Sequence, residues 1–276
     1  MATGSTVKGL QVRELLAFRL YKPAISEQRR IAGILGTLDD QIRLTESATS
    51  KLRATFVGLL GHLLTRGVRS GRGSLGDAPL ELGEAATILP KSWTIEPIGR
   101  LLGPVDPAMR SGPFGSALLK HELVESGVPL PGIDNVHVDQ FVSDFRRFVT
   151  PAKAVELSRY RVRPGDVMIT IMGTVGRSCL VPDDIGHALS SKHVWTMTFD
   201  DARYRPYLAS LQLNHAPWAR AHLRRDEQGG IMSAIRSDTL RTLMLPTRLF
   251  DLDRAMSRLL GLFGAPALRS PWPLEV

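Results

Sequence analysis

The chain has 276 residues, of which 43% are hydrophobic and 22% charged, with a net charge of +8 and a sequence pI of about 10.0. This composition supports a buried core and excludes wholesale disorder, and the length admits one full domain plus an arm, or two small domains. The positive surplus points to a polyanionic partner such as DNA, RNA or an acidic membrane face, while the absence of any run of about 18 apolar residues argues against a membrane-spanning helix.

The first residues, MATGSTVKG, lack the apolar core of a secretory signal, so export by that route is not expected. Pro23 then precedes a proline-free stretch from Ser26 to about Arg66. Ser26 can cap a helix there, Glu27 suits the positive end of its macrodipole, and Arg66 with Gly67 supplies a closing cation and a left-handed cap. About 40 residues at 1.5 Å each make a rod of roughly 60 Å. Along it Ile31, Leu35, Leu38, Ile42, Thr45, Thr49, Leu52, Phe56, Leu59 and Leu63 alternate at spacings of four and three. That is a coiled-coil seam with two threonines in its middle, and it requires another helix. His62 lies on the same helix, at an exposed or interface position. The segment from Val68 to Pro90, rich in Gly and Pro, reads as a loop-rich boundary.

Trp93 opens the main domain, an α+β unit with a mostly β core that runs to Pro246. Val167–Met172 reads as a strand after the turn Arg163-Pro164-Gly165-Asp166; Gly173-Thr174-Val175-Gly176 is the next turn, and Ser178–Val181 and Val194–Phe199 are further strands. Cys179, the only cysteine, reads as a buried thiol; it permits neither an intrachain disulfide nor a Cys-based zinc site, and fits a reducing, cytoplasmic location. Helices are expected over Arg205–Leu213 and Ser237–Leu243. Leu259, Leu260, Leu262 and Phe263 begin another, which Gly264, Pro266, Pro271 and Pro273 end.

Residues 4–38 also match residues 229–263 at a constant offset of 225. Gly4 falls on Gly229, and Leu10, Leu15, Phe18 and Leu20 fall on Ile235, Leu240, Leu243 and Leu245. Arg29, Leu35 and Gly36 fall on Arg254, Leu260 and Gly261. Apolar positions that stay in phase at a fixed offset suggest one structural unit used twice.

Several motifs carry a family resemblance. Leu89-Pro90-Lys91-Ser92-Trp93, Arg110-Ser111-Gly112-Pro113-Phe114-Gly115-Ser116, and Gly127-Val128-Pro129 with Ile133-Asp134-Asn135-Val136 occur in order. Arg163–Thr170, Gly173–Gly176, Ser190–Val194 and Ser26–Ala32 complete the set. Together they resemble the DNA-specificity subunits of type I restriction–modification systems, from Gly4 to about Phe263. In that family two target-recognition domains, each reading half of a split target, are held apart by antiparallel spacer helices on which methylation subunits bind. The resemblance implies a C-terminal fragment: residues 1–22 as the tail of a truncated first recognition domain, 23–67 as the coiled-coil spacer helix, 68–90 as a linker, 91–247 as the target-recognition domain and 248–276 as a truncated second spacer. Gln28 of the first spacer faces Asp253 in the second.

No Walker-type loop, GxGxxG or adenine-methylation motif occurs, and the seven His lack metal-ligand spacing. Asp183 and Asp184 read as a solvated turn. No catalytic residue, metal or cofactor is therefore expected in the chain; S-adenosylmethionine, ATP and magnesium would belong to partner subunits. The expected partners are double-stranded DNA and a methylation subunit through Ile31, Leu35, Leu38, Ile42, Leu52, Phe56, Leu59 and Leu63. A restriction subunit reached indirectly, or another specificity chain, completes the set. Candidate DNA contacts are Arg110, Ser111, Gly115, Ser116, Lys120, Asn135, Lys192, His193, Arg224 and Arg225, since Arg and Lys suit guanine edges or phosphates and Asn suits adenine. Gly115 and Ser116, or Gly229 and Gly230, can bring backbone N–H groups to phosphate. Phe114 reads as a core anchor rather than a wedge between bases. The rival reading is an assembly-only module, or a remnant, that binds a methylation subunit or another specificity chain without reading DNA.

Overall fold

The computed structural model describes residues 2–3, 9–10, 12–66, 79–80, 87–88, 93–224 and 234–247. The chain divides into two compact units, Met1–Phe56 and Val57–Val276. None of the described helices is long and apolar enough to cross a membrane.

The first unit holds a short helix, α1 (Val12–Ala17), and most of α2 (Ile25–Arg66). Helix α2 has 42 residues, a rod of about 63 Å. It starts one residue earlier than Ser26 can cap, so Ser26 lies within the first turn. Gln28 ties the entry instead: its side-chain Nε2 donates to the Pro23 carbonyl at 2.7 Å, and its backbone N–H donates to the Ala24 carbonyl at 3.0 Å. The seam is exposed along the rod. Ile31, Leu35, Leu38, Ile42, Leu52 and Leu59 keep 40–58% of their surface. Phe56 is half-buried, and only Leu63, beside Leu60 and Leu64 in the second unit, is buried. Thr45 and Thr49 donate their hydroxyls to carbonyls four residues back, both at 2.8 Å. Their polar atoms are thus satisfied inside the helix, and they can sit on the seam without a partner. His62 is exposed, as expected.

At the offset of 225, α1 coincides with a second six-residue helix, Ser237–Thr242. The burial differs. Leu240, Leu243 and Leu245 are fully buried, whereas Leu15, Phe18 and Leu20 are 59%, 70% and 79% exposed. In the second unit, strand Met244–Thr247 pairs with Thr94–Pro97 and Ser237–Thr242 packs on Ile98–Leu101. Among the described residues the first unit has no such covering elements.

The second unit is α+β, with strands β1 (Thr94–Pro97), β2 (Met109–Ser111), β3 (Val167–Thr170), β4 (Ser178–Leu180), β5 (Val194–Met197) and β6 (Met244–Thr247). Four form the central antiparallel sheet in the order β4-β3-β5-β2. Val167 opposes Leu180 and Met197, and Trp195 opposes Ser111. All four residues of β3 are fully buried, as a strand covered on both faces requires. On one face lie Val136, Phe141, Val162 and Ala188, packed with Met168, Cys179 and Val194. On the other lies helix Pro206–His215, against β3 and β4, backed by helix Pro217–Arg224. Ser178 and Asn214 join that helix to β4: the Ser178 N–H donates to Asn214 Oδ1 at 2.9 Å, and Asn214 Nδ2 returns to the Ser178 carbonyl at 2.8 Å. Asp139 accepts from both Asn214, at 2.6 Å, and His215. The expected strands and the helices over 205–213 and 237–243 are present within two residues of their expected ends, whereas Pro217–Arg224 and Pro151–Glu156 were not anticipated. Of the stretch 68–90 the described residues are a two-residue ladder, Pro79–Leu80 with Thr87–Ile88; the C-terminal segment 248–276 lies outside the described residues. Cys179 is fully buried, and burial pushes its thiol pKa up.

Arg110 occupies the middle of this frame and corrects its assignment as a DNA contact. It is 3% exposed, because it pairs with Asp166 inside the domain. Its Nε donates to the Arg161 carbonyl at 2.6 Å, and its Nη1 to Thr198 Oγ1 at 2.9 Å and the Pro107 carbonyl at 3.3 Å. Asp166 also accepts from Thr198 Oγ1 at 2.5 Å and from the Arg163 N–H at 2.7 Å. Burial pushes the Asp166 pKa up and the Arg110 pKa down, and their mutual attraction opposes both shifts. Removing one partner strands the other charge in the core. Arg110→Met is expected to cost about 3–5 kcal/mol and lower the melting temperature by roughly 6–20 °C. The double variant Arg110→Met/Asp166→Leu should recover most of that loss. Thermal and chemical denaturation check this; an Arg110→Met chain that melts like the parent would show that the pair carries no such weight.

Candidate nucleic-acid interface

The antiparallel order of the central sheet dictates where its connections emerge. Strand β2 ends at Ser111, β3 ends at Thr170, β4 begins at Ser178 and β5 begins at Val194, and the registers place all four positions at one end. The turns 111–116, 171–177 and 190–193 therefore leave the sheet side by side, although Ser111 and Lys192 are 81 positions apart in sequence.

Backbone bonds weld them together. The Gly112 N–H donates to the Ser191 carbonyl at 3.1 Å, and the Ser191 N–H donates to the Pro131 carbonyl at 3.1 Å, which brings in the turn 131–135. A Cβ on Gly112 would lie 2.1 Å from the Ser190 oxygen, so only glycine permits this approach. The turn 171–177 is closed by Thr170. Its backbone accepts from the Gly176 N–H at 2.9 Å, and its hydroxyl accepts from the Arg177 N–H at 3.0 Å and donates to the Thr174 carbonyl. Gly173 and Gly176 have φ of 74° and 84°, which glycine adopts without penalty.

The proposed contact residues divide sharply on this scaffold. Gly115, Ser116, Lys120 and Lys192 are exposed. His193 is half-buried; its own burial, then Lys192 and Arg147, lowers its pKa, and its Nδ1 has no partner. Asn135 is 3% exposed and is a second correction. Its Oδ1 accepts from the Gly132 N–H at 3.0 Å and its Nδ2 donates to the Val142 and Asp144 carbonyls at 2.7 and 3.0 Å. With both amide protons spent on the turn, no donor remains for adenine. Ser111 is a third: it is 8% exposed and its hydroxyl donates to the Lys192 carbonyl at 3.3 Å. Arg224 is exposed at the end of Pro217–Arg224, on the helical layer. Arg225, Gly229 and Gly230 lie outside the described residues. Phe114, read as a core anchor, is 55% exposed.

Other cations were overlooked at this end. Arg147 pairs with Asp134 at 3.1 Å, and the more exposed Arg146 sits 3.7 Å from Asp144. Arg177 follows the Gly173–Gly176 turn. Among the described residues Lys120, Arg177 and Lys192 make no ion pair. The Arg146-Arg147 doublet and the arginine after a glycine turn were visible signals, but nothing local connected them to Lys192. Asp183 and Asp184 are exposed in a turn, as expected. The arrangement is a hydrogen-bonded turn platform with exposed Lys192 and half-buried Arg147 and Arg177 beside it, a chemistry suited to phosphates and groove edges.

No family model matches the chain. It is 23% identical over 185 residues to the Escherichia coli type I restriction enzyme EcoBI specificity subunit, covering 65% of this chain and 38% of that protein. Its fold matches a chain from a structure of the assembly and conformational transition of a type I restriction–modification system, with a TM-score of 0.54, 16% identity and 96% of this chain covered. The type I specificity subunit of M. genitalium matches with a TM-score of 0.53, 16% identity and the same coverage. The chain spans 59% and 62% of the length of those two structures. The chain is thus similar in part of its sequence to a type I specificity subunit, and it shares with these structures the fold of a long helix and a mostly β domain.

Proposed function

We propose that the chain is a DNA-specificity component that directs methylation and cleavage by partner subunits and catalyses neither itself. The observation that carries this reading is the convergence of four rigid turns at one end of the central sheet, rimmed by Lys192, Arg177 and Arg147, in a chain with the specificity-subunit fold. Phosphate contacts from these cations give affinity and register, and the exposed turn residues give base choice. S-adenosylmethionine, ATP and magnesium belong, in this reading, to the partner subunits.

The exposed seam of α2 is the second functional surface. Six apolar side chains at seam spacing are too many to leave in water, and they suit a helix of a methylation subunit or of another specificity chain. That observation also supports the rival reading, in which the chain assembles without reading DNA. The two readings separate experimentally. Binding of the full chain to duplex DNA should fall roughly tenfold or more between 50 and 200 mM salt. Lys192→Glu with Arg177→Glu should weaken binding and flatten the dependence of log affinity on log salt by about one per lost phosphate contact. Electrophoretic or fluorescence titrations check this, and a salt-insensitive affinity would leave the assembly reading alone. Leu35→Asp with Ile42→Asp should abolish co-purification with a type I methylation subunit and leave the melting temperature within a few degrees. Retained co-purification would place the partner surface elsewhere.

A further inference from the structure

Phe114, 55% exposed, is the one Phe, Tyr or Trp among the described residues of the second unit that is exposed rather than buried or half-buried. Its two predecessors, Gly112 and Pro113, are buried. Gly112 is pressed against Ser190 and Ser191 so closely that no side chain fits. Phe114 itself is extended, with φ −107° and ψ 155°, and Gly115 turns the chain with φ 58°. The Ala117 N–H then closes a short turn on the Phe114 carbonyl at 3.2 Å. The backbone is thus held on both sides of Phe114, and the ring stands out from the platform end instead of folding into the core.

Its neighbours decide what it meets. The loop that anchors Gly112 continues directly into Lys192 and His193, and the loop carrying Phe114 continues through Gly115 and Ser116 to Lys120. Leu119, 43% exposed, is the other exposed large apolar side chain of this loop, which also carries Lys120; two apolar side chains fall short of the contiguous apolar patch that a protein partner needs. It has the form of an apolar wedge that enters a groove and partly unstacks a base step while flanking cations hold the phosphates.

Resting on the DNA-specificity reading above, we propose that Phe114 is a specificity-determining residue of this interface, inserting its ring at a base step of the duplex target. The wedge needs apolar bulk at a fixed tip, so Phe114→Leu should preserve the preference and Phe114→Ala should lose it.

The test is selection by the full chain from a pool of randomised DNA duplexes, followed by titration of the enriched duplex and of the unselected pool at one salt concentration. Phe114→Ala is expected to bind the enriched duplex about tenfold more weakly or worse, with less than about a twofold change on the pool and an unchanged melting temperature. Phe114→Leu should bind within about threefold of the parent. A 2-aminopurine placed across the enriched sequence should brighten at one step on binding the parent and not on binding Phe114→Ala. If the parent enriches a sequence and Phe114→Ala binds it equally well, the wedge is overturned and the DNA reading stands. The same holds if Phe114→Ala loses only a methylation subunit, which would make the ring a protein contact. If the parent enriches nothing and shows no salt-dependent binding, both the DNA reading and the wedge fall.

Discussion

The buried ion pair between Arg110 and Asp166 is the constraint on which the second unit depends. Arg110 comes from β2, Asp166 from the turn before β3, Thr198 from just beyond β5, and the accepting carbonyl from Arg161. Four segments that span about 90 residues of sequence are therefore tied at one point inside the sheet. Two charges brought out of water gain little net stability by themselves. They are demanding about geometry, however, because every donor and acceptor must find its partner at once. A slip of β2 by one residue would turn Arg110 to the opposite face of the sheet and leave Asp166 unpaired. The pair is well placed to specify register, and register determines which turns emerge together.

Specificity in register is what the proposed DNA-reading surface requires. The turns at the sheet end are fixed by backbone bonds and close glycine contacts, with Asn135, Ser111 and Thr170 spending their polar groups on holding the turns. The side chains not spent on these bonds include Arg177, Lys192 and the ring of Phe114. Frame and contact are thus divided between different side chains, so rim residues can change without disturbing the frame. Loops on a rigid scaffold commonly carry recognition for this reason.

Helix α2 solves a different problem by similar means. Its threonines close their hydroxyls onto their own backbone, so the seam is apolar or self-satisfied along its length. The helix is fully formed in the single chain while its seam stays open, which leaves a pre-organised surface and reduces the ordering cost of any helix that docks there.

The sequence alone determined the local elements and carried the resemblance to type I specificity subunits. A proline-free stretch with spacing of four and three dictates a long helix, and α2 follows it almost to the residue. The alternating runs and Gly/Pro turns marked β3, β4 and β5, and the offset of 225 suggested one structural unit used twice, at which Val12–Ala17 and Ser237–Thr242 are both helical. These depend on neighbours in sequence, where periodicity and turn chemistry act directly. Tertiary structure decided which polar residues face solvent. Arg110, Ser111 and Asn135 look like contact residues in sequence because their chemistry suits bases. Burial consumes that chemistry, and their partners lie as far as 88 residues away. Phe114 departs from expectation the opposite way: an aromatic is buried by default, yet here the ring is 55% exposed two residues after the glycine packed against Ser190 and Ser191. A side chain's type states what it can bind, but which partner reaches it first depends on strand pairing between distant segments, and that pairing is not written in any local pattern.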